Sequence, residues 1–212
     1  LPSGRWSVLP RSEIGDSEAA LIRAESLLIR HGIVSRGTSE RLRFGDVYRS
    51  LSAMEERGIC RRGYFVAGLG GAQFASSAAI DSARAQGTQP SSDKQEPVFV
   101  LAASDPANPY GAALDWPDAP TGSPNRRAGA FVVLCGGIPV VHGHGTALTV
   151  WEEERSWVAA AGALIDAVAS GRVRPLTIKQ INTEPAHQHP FSEVLSDQGG
   201  HETPAGVKLR RS

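Results

Sequence analysis

The sequence predicts an α+β protein: a winged-helix domain over residues 1–85, a linker over 86–97, and a small β-barrel-like α+β domain over 98–212. Three observations lead there. Two segments among the first 60 residues repeat apolar side chains at three- and four-residue steps, the period of an amphipathic helix. The stretch 86–96, QGTQPSSDKQE, has almost nothing to bury and reads as a linker. Beyond it, short apolar runs separated by Gly- and Pro-containing turns point to strands.

Asp16 or Ser17 offers a capping oxygen to a helix reaching about residue 31. Ala20, Leu21, Ala24, Leu27 and Leu28 form its apolar stripe, and Gly32 stops it. Ile33 and Val34 suit a short strand, and 36–43 leave room for little more than one helical turn. A second helix over about 44–57 lines up Phe44, Val47, Tyr48, Leu51 and Met54. Arg43, Asp46, Arg49, Ser50 and Arg57 fall mostly on other faces, and Gly58 ends it. Residues 59–66 and 72–75 read as strands around the flexible tip Gly68-Leu69-Gly70-Gly71. Helix, short strand, short helix, longer helix and hairpin come in the order of a winged helix. In that fold the second long helix enters the major groove and the hairpin is the wing.

In the second half, 98–102 is apolar throughout, as in a buried strand. Residues 105–111 are rich in turn formers and 117–127 read as a loop. Strands at 131–134 and 138–141 flank Gly136-Gly137, a two-residue hairpin signal. A further strand is expected at 148–151. The helix at 156–169 gathers Trp157, Ala160, Ala161, Leu164 and Val168 on one side. Residues 176–181 alternate as a strand does, 192–198 form a short helix, and 207–209 an edge strand. A small, partly open barrel or an α+β layer fits this order.

Composition narrows the functions. With 41% hydrophobic residues the chain can pack a core. Two cysteines, Cys60 and Cys135, are too few for a disulfide scaffold, so a reducing cytoplasm is the expected location. No apolar run approaches a membrane span, and no signal-peptide pattern opens the sequence. The one methionine is Met54, so a chain opening on Leu1 is expected to be a processed or excised piece. The net charge is zero but uneven: residues 1–90 hold 12 Arg, no Lys and 9 acidic groups. Guanidinium groups suit bidentate contact with phosphate. On charge alone, an ordinary solvated face is the favoured explanation.

Several chemistries are excluded or disfavoured. No G-x-x-x-x-G-K-[ST] occurs, so no phosphate-cradling loop of an ATPase can form. Gly68 and Gly70 begin a dinucleotide-binding spacing, but the third glycine position is Gln73. His142 and His144 alternate, as do His187 and His189, yet the pairs and the two cysteines lie far apart, and no metal site is expected. Asp105 precedes a proline at the end of an apolar strand. It reads first as a turn residue, and as a catalytic candidate that would position water or steady a cationic sugar during excision of a flipped base. Tyr110 and Trp116 are core aromatics or platforms for an unpaired base. The candidate nucleic-acid contacts are Arg36, Arg41, Arg43, Arg49, Arg61, Arg62 and Tyr64.

Several phrases resemble a known family. Gly4-Arg5-Trp6-Ser7, 61–66 with 68–74, Asp105-Pro106-Ala107-Asn108-Pro109-Tyr110-Gly111-Ala112-Ala113-Leu114 with Trp116-Pro117, 178–184 and Thr203-Pro204 are similar to the C-terminal region of Lhr-type (large helicase-related) helicases, in the same order. The resemblance implies a final winged helix and a β-barrel-like module attached to an ATP-dependent DNA-translocating motor that acts in repair. It implies ATP and Mg for that motor only, with no cofactor in this sequence. The expected role is an accessory nucleic-acid-binding and assembly region, with single-stranded or duplex DNA as partner and RNA as a further candidate. Two alternatives stand beside it. One is a base-excision glycosylase-like domain acting on damaged or uracil-containing DNA, because the architecture is also similar to that of bacterial DNA glycosylases. The other is a winged-helix surface for homo-oligomerisation.

Overall fold

The computed structural model describes residues 7–8, 13–39, 44–69, 71–87, 96–151 and 154–211. The opening Gly4-Arg5-Trp6, the pair Arg41 and Arg43, and residues 88–95 of the linker expected over 86–97 lie outside the described residues, whereas 86 and 87 end a helix. The chain divides into two compact units, 1–89 and 90–212.

The first unit runs α1 (Asp16–His31), β1 (Ile33–Val34), a 3₁₀ turn (Gly37–Ser39), α2 (Phe44–Glu56), β2 (Arg61–Gly63), β3 (Gln73–Ala75) and α3 (Ser77–Gly87). Gly15, not Asp16 or Ser17, takes the position before the first turn of α1, and no side chain caps it. Asp16 and Glu18 sit inside that first turn, where negative charge favours the exposed N–H groups. The 3₁₀ turn fills the short gap before α2 and is closed by Thr38, whose Oγ1 accepts from the Ser35 N–H at 2.8 Å. Helix α2 ends as its glycine predicts: the Gly58 N–H donates to Glu55 O at 2.8 Å and the Ile59 N–H to Met54 O at 2.9 Å.

Strand β3 is the centre of an antiparallel sheet ordered β1-β3-β2. Ile33 and Arg61 flank Ala75 from its two sides. The expected strand over 59–66 shortens to three residues, because Ile59 and Cys60 are spent closing α2 and filling the core. That core joins Ala24, Leu27 and Leu28 of α1 to Val47, Leu51 and Met54 of α2, with Val34, Cys60 and Phe74 beneath. Each large side chain here contributes roughly 1.5–3 kcal/mol by leaving water.

The second unit contains β4 (Val98–Ala102), β5 (Phe131–Cys135), β6 (Ile138–His144), β7 (Ala147–Val150), α4 (Trp157–Ala169), β8 (Leu176–Ile178), β9 (Gln180–Ile181), β10 (Glu184–Pro185), α5 (Phe191–Asp197), β11 (His201–Thr203) and β12 (Gly206–Leu209). Six strands form a sheet ordered β10-β9-β7-β6-β5-β4, antiparallel except for the β7–β9 pair. Cys135 faces Ile138 across Gly136-Gly137, the two-residue hairpin expected from the sequence. Strand β5 is buried along its whole length. Phe131, Val133 and Cys135 pack with Trp157, Ala160, Ala161, Leu164 and Val168 of α4.

The class is α+β, and among the described residues the sheet stays open rather than closing into a barrel. Residues 176–181 do not form one strand. The chain turns at Lys179, whose N–H reaches Thr146 O at 2.8 Å, so β8 joins a second, three-stranded sheet and β9 joins the first. That second sheet is ordered β11-β12-β8, which makes 207–209 its middle strand instead of an edge. Gly206 has φ +122, and a Cβ there would collide with Ile178 O, so only glycine lets β12 enter against β8.

Candidate nucleic-acid interface and a polar cleft

In the first unit, burial of Val47, Leu51 and Met54 turns Asp46, Arg49, Ala53 and Glu56 outward. The outward face of α2 is therefore mixed in charge, with Arg57 following at its end. Arg61 and Arg62 are exposed on β2, and Tyr64 just beyond it is 88% exposed. Arg36 is exposed after β1.

Arg62 differs from its neighbour. Its Nε lies 3.3 Å from Glu55 Oε2, and its Nη1 donates to Tyr48 Oη at 3.1 Å. It straps β2 to α2. Tyr48 in turn packs edge-on against Phe44 and Phe74, at 5.8 and 5.5 Å between centroids. Among the described residues Arg49 and Arg61 form no ion pair, so their charge faces solvent.

The wing loop is held by a residue that sequence reasoning noticed only as a missing glycine. Gln73 is fully buried. Its Oε1 accepts from the Phe65 and Val66 N–H groups, both at 2.9 Å, and its Nε2 donates to Val66 O and Leu69 O, both at 3.0 Å. One amide thus satisfies four backbone groups and presents Tyr64 at the turn. A buried polar side chain in a three-residue strand was the available signal.

In the second unit the conspicuous 105–116 block serves itself. Asp105 Oδ1 accepts the Ala107 N–H at 2.8 Å, an Asx turn. Buried Asn108 donates from Nδ2 to Ala103 O at 2.9 Å and accepts the Tyr110 N–H at 3.1 Å. Arg126 donates to four carbonyls of the loop: Asn108 at 2.7 Å, Tyr110 at 3.1 Å, Asp105 at 3.2 Å and Ser104 at 3.3 Å. Tyr110 and Trp116 stack on each other at 5.8 Å, and Trp116 lies near-parallel to Trp151 at 6.5 Å. Gly111 permits this approach, since a Cβ there would strike Trp116 Nε1. Both base-stacking candidates are half-buried in an internal aromatic stack.

His142 closes that arrangement. Its ring is buried, edge-on to Trp116, with Nε2 3.0 Å from Asn125 O. Burial pushes its pKa down, so the ring is neutral at pH 7. The Cys135 thiol is pushed up to about 11 by burial, and the Cys60 thiol is raised for the same reason. Neither is an activated nucleophile.

A cleft of about 400 Å³ opens elsewhere in this unit, lined by Val150, Glu154, Trp157, Asn182, Thr183, Glu184, His189 and Pro190. Asp105 is not among its lining residues. Asn182 opens the two-residue turn between β9 and β10 at φ +55, a conformation asparagine tolerates better than other non-glycine residues. Its carboxamide pairs with Val150 as a strand would: Oδ1 accepts the Val150 N–H at 2.9 Å and Nδ2 donates to Val150 O at 3.2 Å. Asn182 and Glu184 fall within a recognisable phrase, but nothing in the sequence singled them out as a site.

Residues 13–95 match the family described as large helicase-related protein, winged-helix domain. Over 226 aligned residues, 98% of this chain, the sequence is 40% identical to a protein of Mycolicibacterium smegmatis named Lhr helicase/probable uracil glycosylase. Over 214 aligned residues, 97% of the chain, it is 36% identical to Lhr helicase/uracil glycosylase of Escherichia coli. The chain spans 15% and 14% of the length of these relatives.

Proposed function

Because this chain is homologous along nearly its whole length to the C-terminal region of Lhr-type helicases, we propose that it is the part of such a helicase that holds nucleic acid while a motor outside this sequence supplies ATP-driven movement. DNA, single-stranded or duplex, is the partner, with RNA a further candidate, and the cytoplasm is its place. The observation that carries the reading is the pair Arg49 and Arg61, exposed and without an ion pair among the described residues, on the helix and wing that winged-helix domains turn toward nucleic acid. Tyr64 beside them supplies a ring for sugar or base. The mixed charge of α2 argues against a deep, base-reading fit and for contact with the phosphate backbone. Arg36 adds to the same electrostatic field.

Fluorescence anisotropy with labelled single-stranded and duplex DNA across a salt series tests this. Binding falls steeply with salt as counterions are released. The double variant Arg49→Ala, Arg61→Ala lowers the slope of log K against log salt by about 2 on duplex DNA, about one per lost phosphate contact. An unchanged slope rejects the reading.

A second reading is favoured by the names of both relatives, which include uracil glycosylase. On it, the second unit excises a base. Asp105 is the residue proposed for the chemistry, and its test is Asp105→Asn on uracil-containing DNA with abasic product as readout. The Asx turn gives Asp105 a purely architectural role as well, so loss of product counts only if the variant's melting temperature is unchanged.

A further inference from the structure

We propose that the solvent face of the β11-β12-β8 sheet, with the turn that follows α4, holds the phosphodiester backbone of an unpaired nucleic-acid strand. This is a second surface, separate from the helix and wing, and it rests on the nucleic-acid reading only for the class of polymer.

Strand pairing gathers cations on one side of that small sheet. Val207 and Leu209 are buried, so Lys208 between them points to solvent. Lys208 stands in register with Thr177 of β8 and His201 of β11, and residues directly opposite share a face. Arg210 follows Lys208 at the two-residue step, roughly 6.7 Å along the chain. The antiparallel pairing that ends at Leu209 and Leu176 carries Arg210 and Arg211 to the same end of the sheet as Arg174. Arg211 lies against the turn after α4, where a Cβ at Gly171 would strike its Nη2. Arg172 in that turn is oriented by its Nε, which donates to Ser170 Oγ at 3.2 Å. Arg172, Arg174, Lys208, Arg210 and Arg211 are all exposed.

Nothing acidic answers them. Residues 170–179 and 206–211 contain no Asp or Glu. Glu202 on β11 opposes Val207 instead of Lys208 and accepts from Ser196 Oγ at 3.0 Å. Among the described residues no ion pair engages the five cations. Like charges held together repel until an anion reaches them. A ligand with one or two charges leaves most of the patch unanswered, whereas a polyanion answers it along its length. Four of the five cations are guanidinium groups, which grip phosphate through two bonds at once. A protein partner would call for an apolar centre. None of the exposed large apolar side chains among the described residues lies between 170 and 211. The exposed His201 ring beside Lys208 offers a flat surface to an unstacked base, as guanidinium planes also do. In a duplex the base faces are already stacked on one another, so that ring selects an unpaired strand.

The test is fluorescence anisotropy of the whole chain across a salt series, with a labelled single strand, as DNA and as RNA, and with the matching duplex. Arg174→Ala, Lys208→Ala and Arg210→Ala together lower the slope of log K against log salt by about 2 on a single strand, about 0.7 per lost phosphate contact. Their slope on the duplex is unchanged. His201→Ala weakens single-strand binding roughly fivefold or more at unchanged slope, and His201→Phe restores it. In the unaltered chain, a single strand shifts the backbone amides of 172–177 and 201–211. Those amides unmoved, or an unchanged single-strand slope in a triple variant that keeps its melting temperature, overturns the proposal. Equal losses on duplex and single strand overturn the assignment to an unpaired strand. A polyglutamate chain that binds the unaltered protein and not the triple variant, with single-strand binding untouched, gives the face to an acidic protein and overturns it too. A duplex slope unmoved by Arg49→Ala, Arg61→Ala rejects the helix-and-wing reading and leaves this face standing.

Discussion

Arg61 and Arg126 carry the same guanidinium and use it in opposite ways. In the first unit Arg61 stands exposed on the wing without an ion pair among the described residues. In the second, Arg126 is enclosed by a loop and donates to four of its carbonyls. The contrast separates two meanings of a recognisable sequence. The 105–116 block is distinctive because its side chains bind one another. The solvent-facing arginine lies in a plainer stretch, on a three-residue strand.

The largest expected effect follows directly. Arg126→Ala leaves several loop carbonyls unpaired and destabilises the second unit by about 2–3 kcal/mol. Arg61→Ala stays within about 0.5 kcal/mol. Urea unfolding followed through tryptophan fluorescence for Arg126→Ala, and through circular dichroism for Arg61→Ala, measures both. Equal costs would erase the contrast.

Next comes Gln73→Ala, which strips four backbone groups of their partner at once. We expect about 2 kcal/mol, with faster amide exchange at Phe65 and Val66. Unchanged exchange there would mean that the wing is held by something other than this amide.

Arg62 tests the contrast inside a single strand. Its ion pair with Glu55 and bond to Tyr48 already engage it. Arg62→Ala therefore weakens DNA binding less than Arg61→Ala does, and lowers stability only slightly, because Arg62 pairs with Glu55 in contact with solvent. The reverse ranking in anisotropy would assign the strap and the contact the other way round.

The smallest effect is on pH. The pKa values of His142 and His189 are pushed below the ordinary 6.5 by burial, and that of His31 in the first unit likewise. Below pH 6.5 the unfolded chain takes up protons that the folded chain refuses, so stability falls with acidification until the folded values are reached, and is fully present above pH 6.5. His142→Gln flattens that decline in the second unit. A decline unchanged by the substitution places the acid sensitivity elsewhere.

Much of the architecture was legible. Helices α1, α2 and α4 bury the stripes their three- and four-residue spacing predicts, and Gly58 and Gly136-Gly137 end and turn the chain where expected. Helix α3 went unread because SAAIDSARAQG contains a single large apolar residue, Ile80, and so has no stripe to see. The split of 176–181 was hidden because alternation reports which face a residue takes and not which sheet it joins. The arginines of the wing could be named from sequence, but the engagement of Arg62 depends on Glu55 one helix away. The cleft was out of reach, since its lining comes from segments far apart in sequence, 150–157 and 182–190.

The most direct measurement is a map of backbone amide shifts in the whole chain as a short DNA duplex is added. Shifts concentrated at residues 45–57 and 61–64, and fading as salt rises, are the predicted outcome. Shifts centred on α1 or on the second unit, with 61–64 unmoved, would contradict the assignment of the helix and wing as the surface that meets nucleic acid.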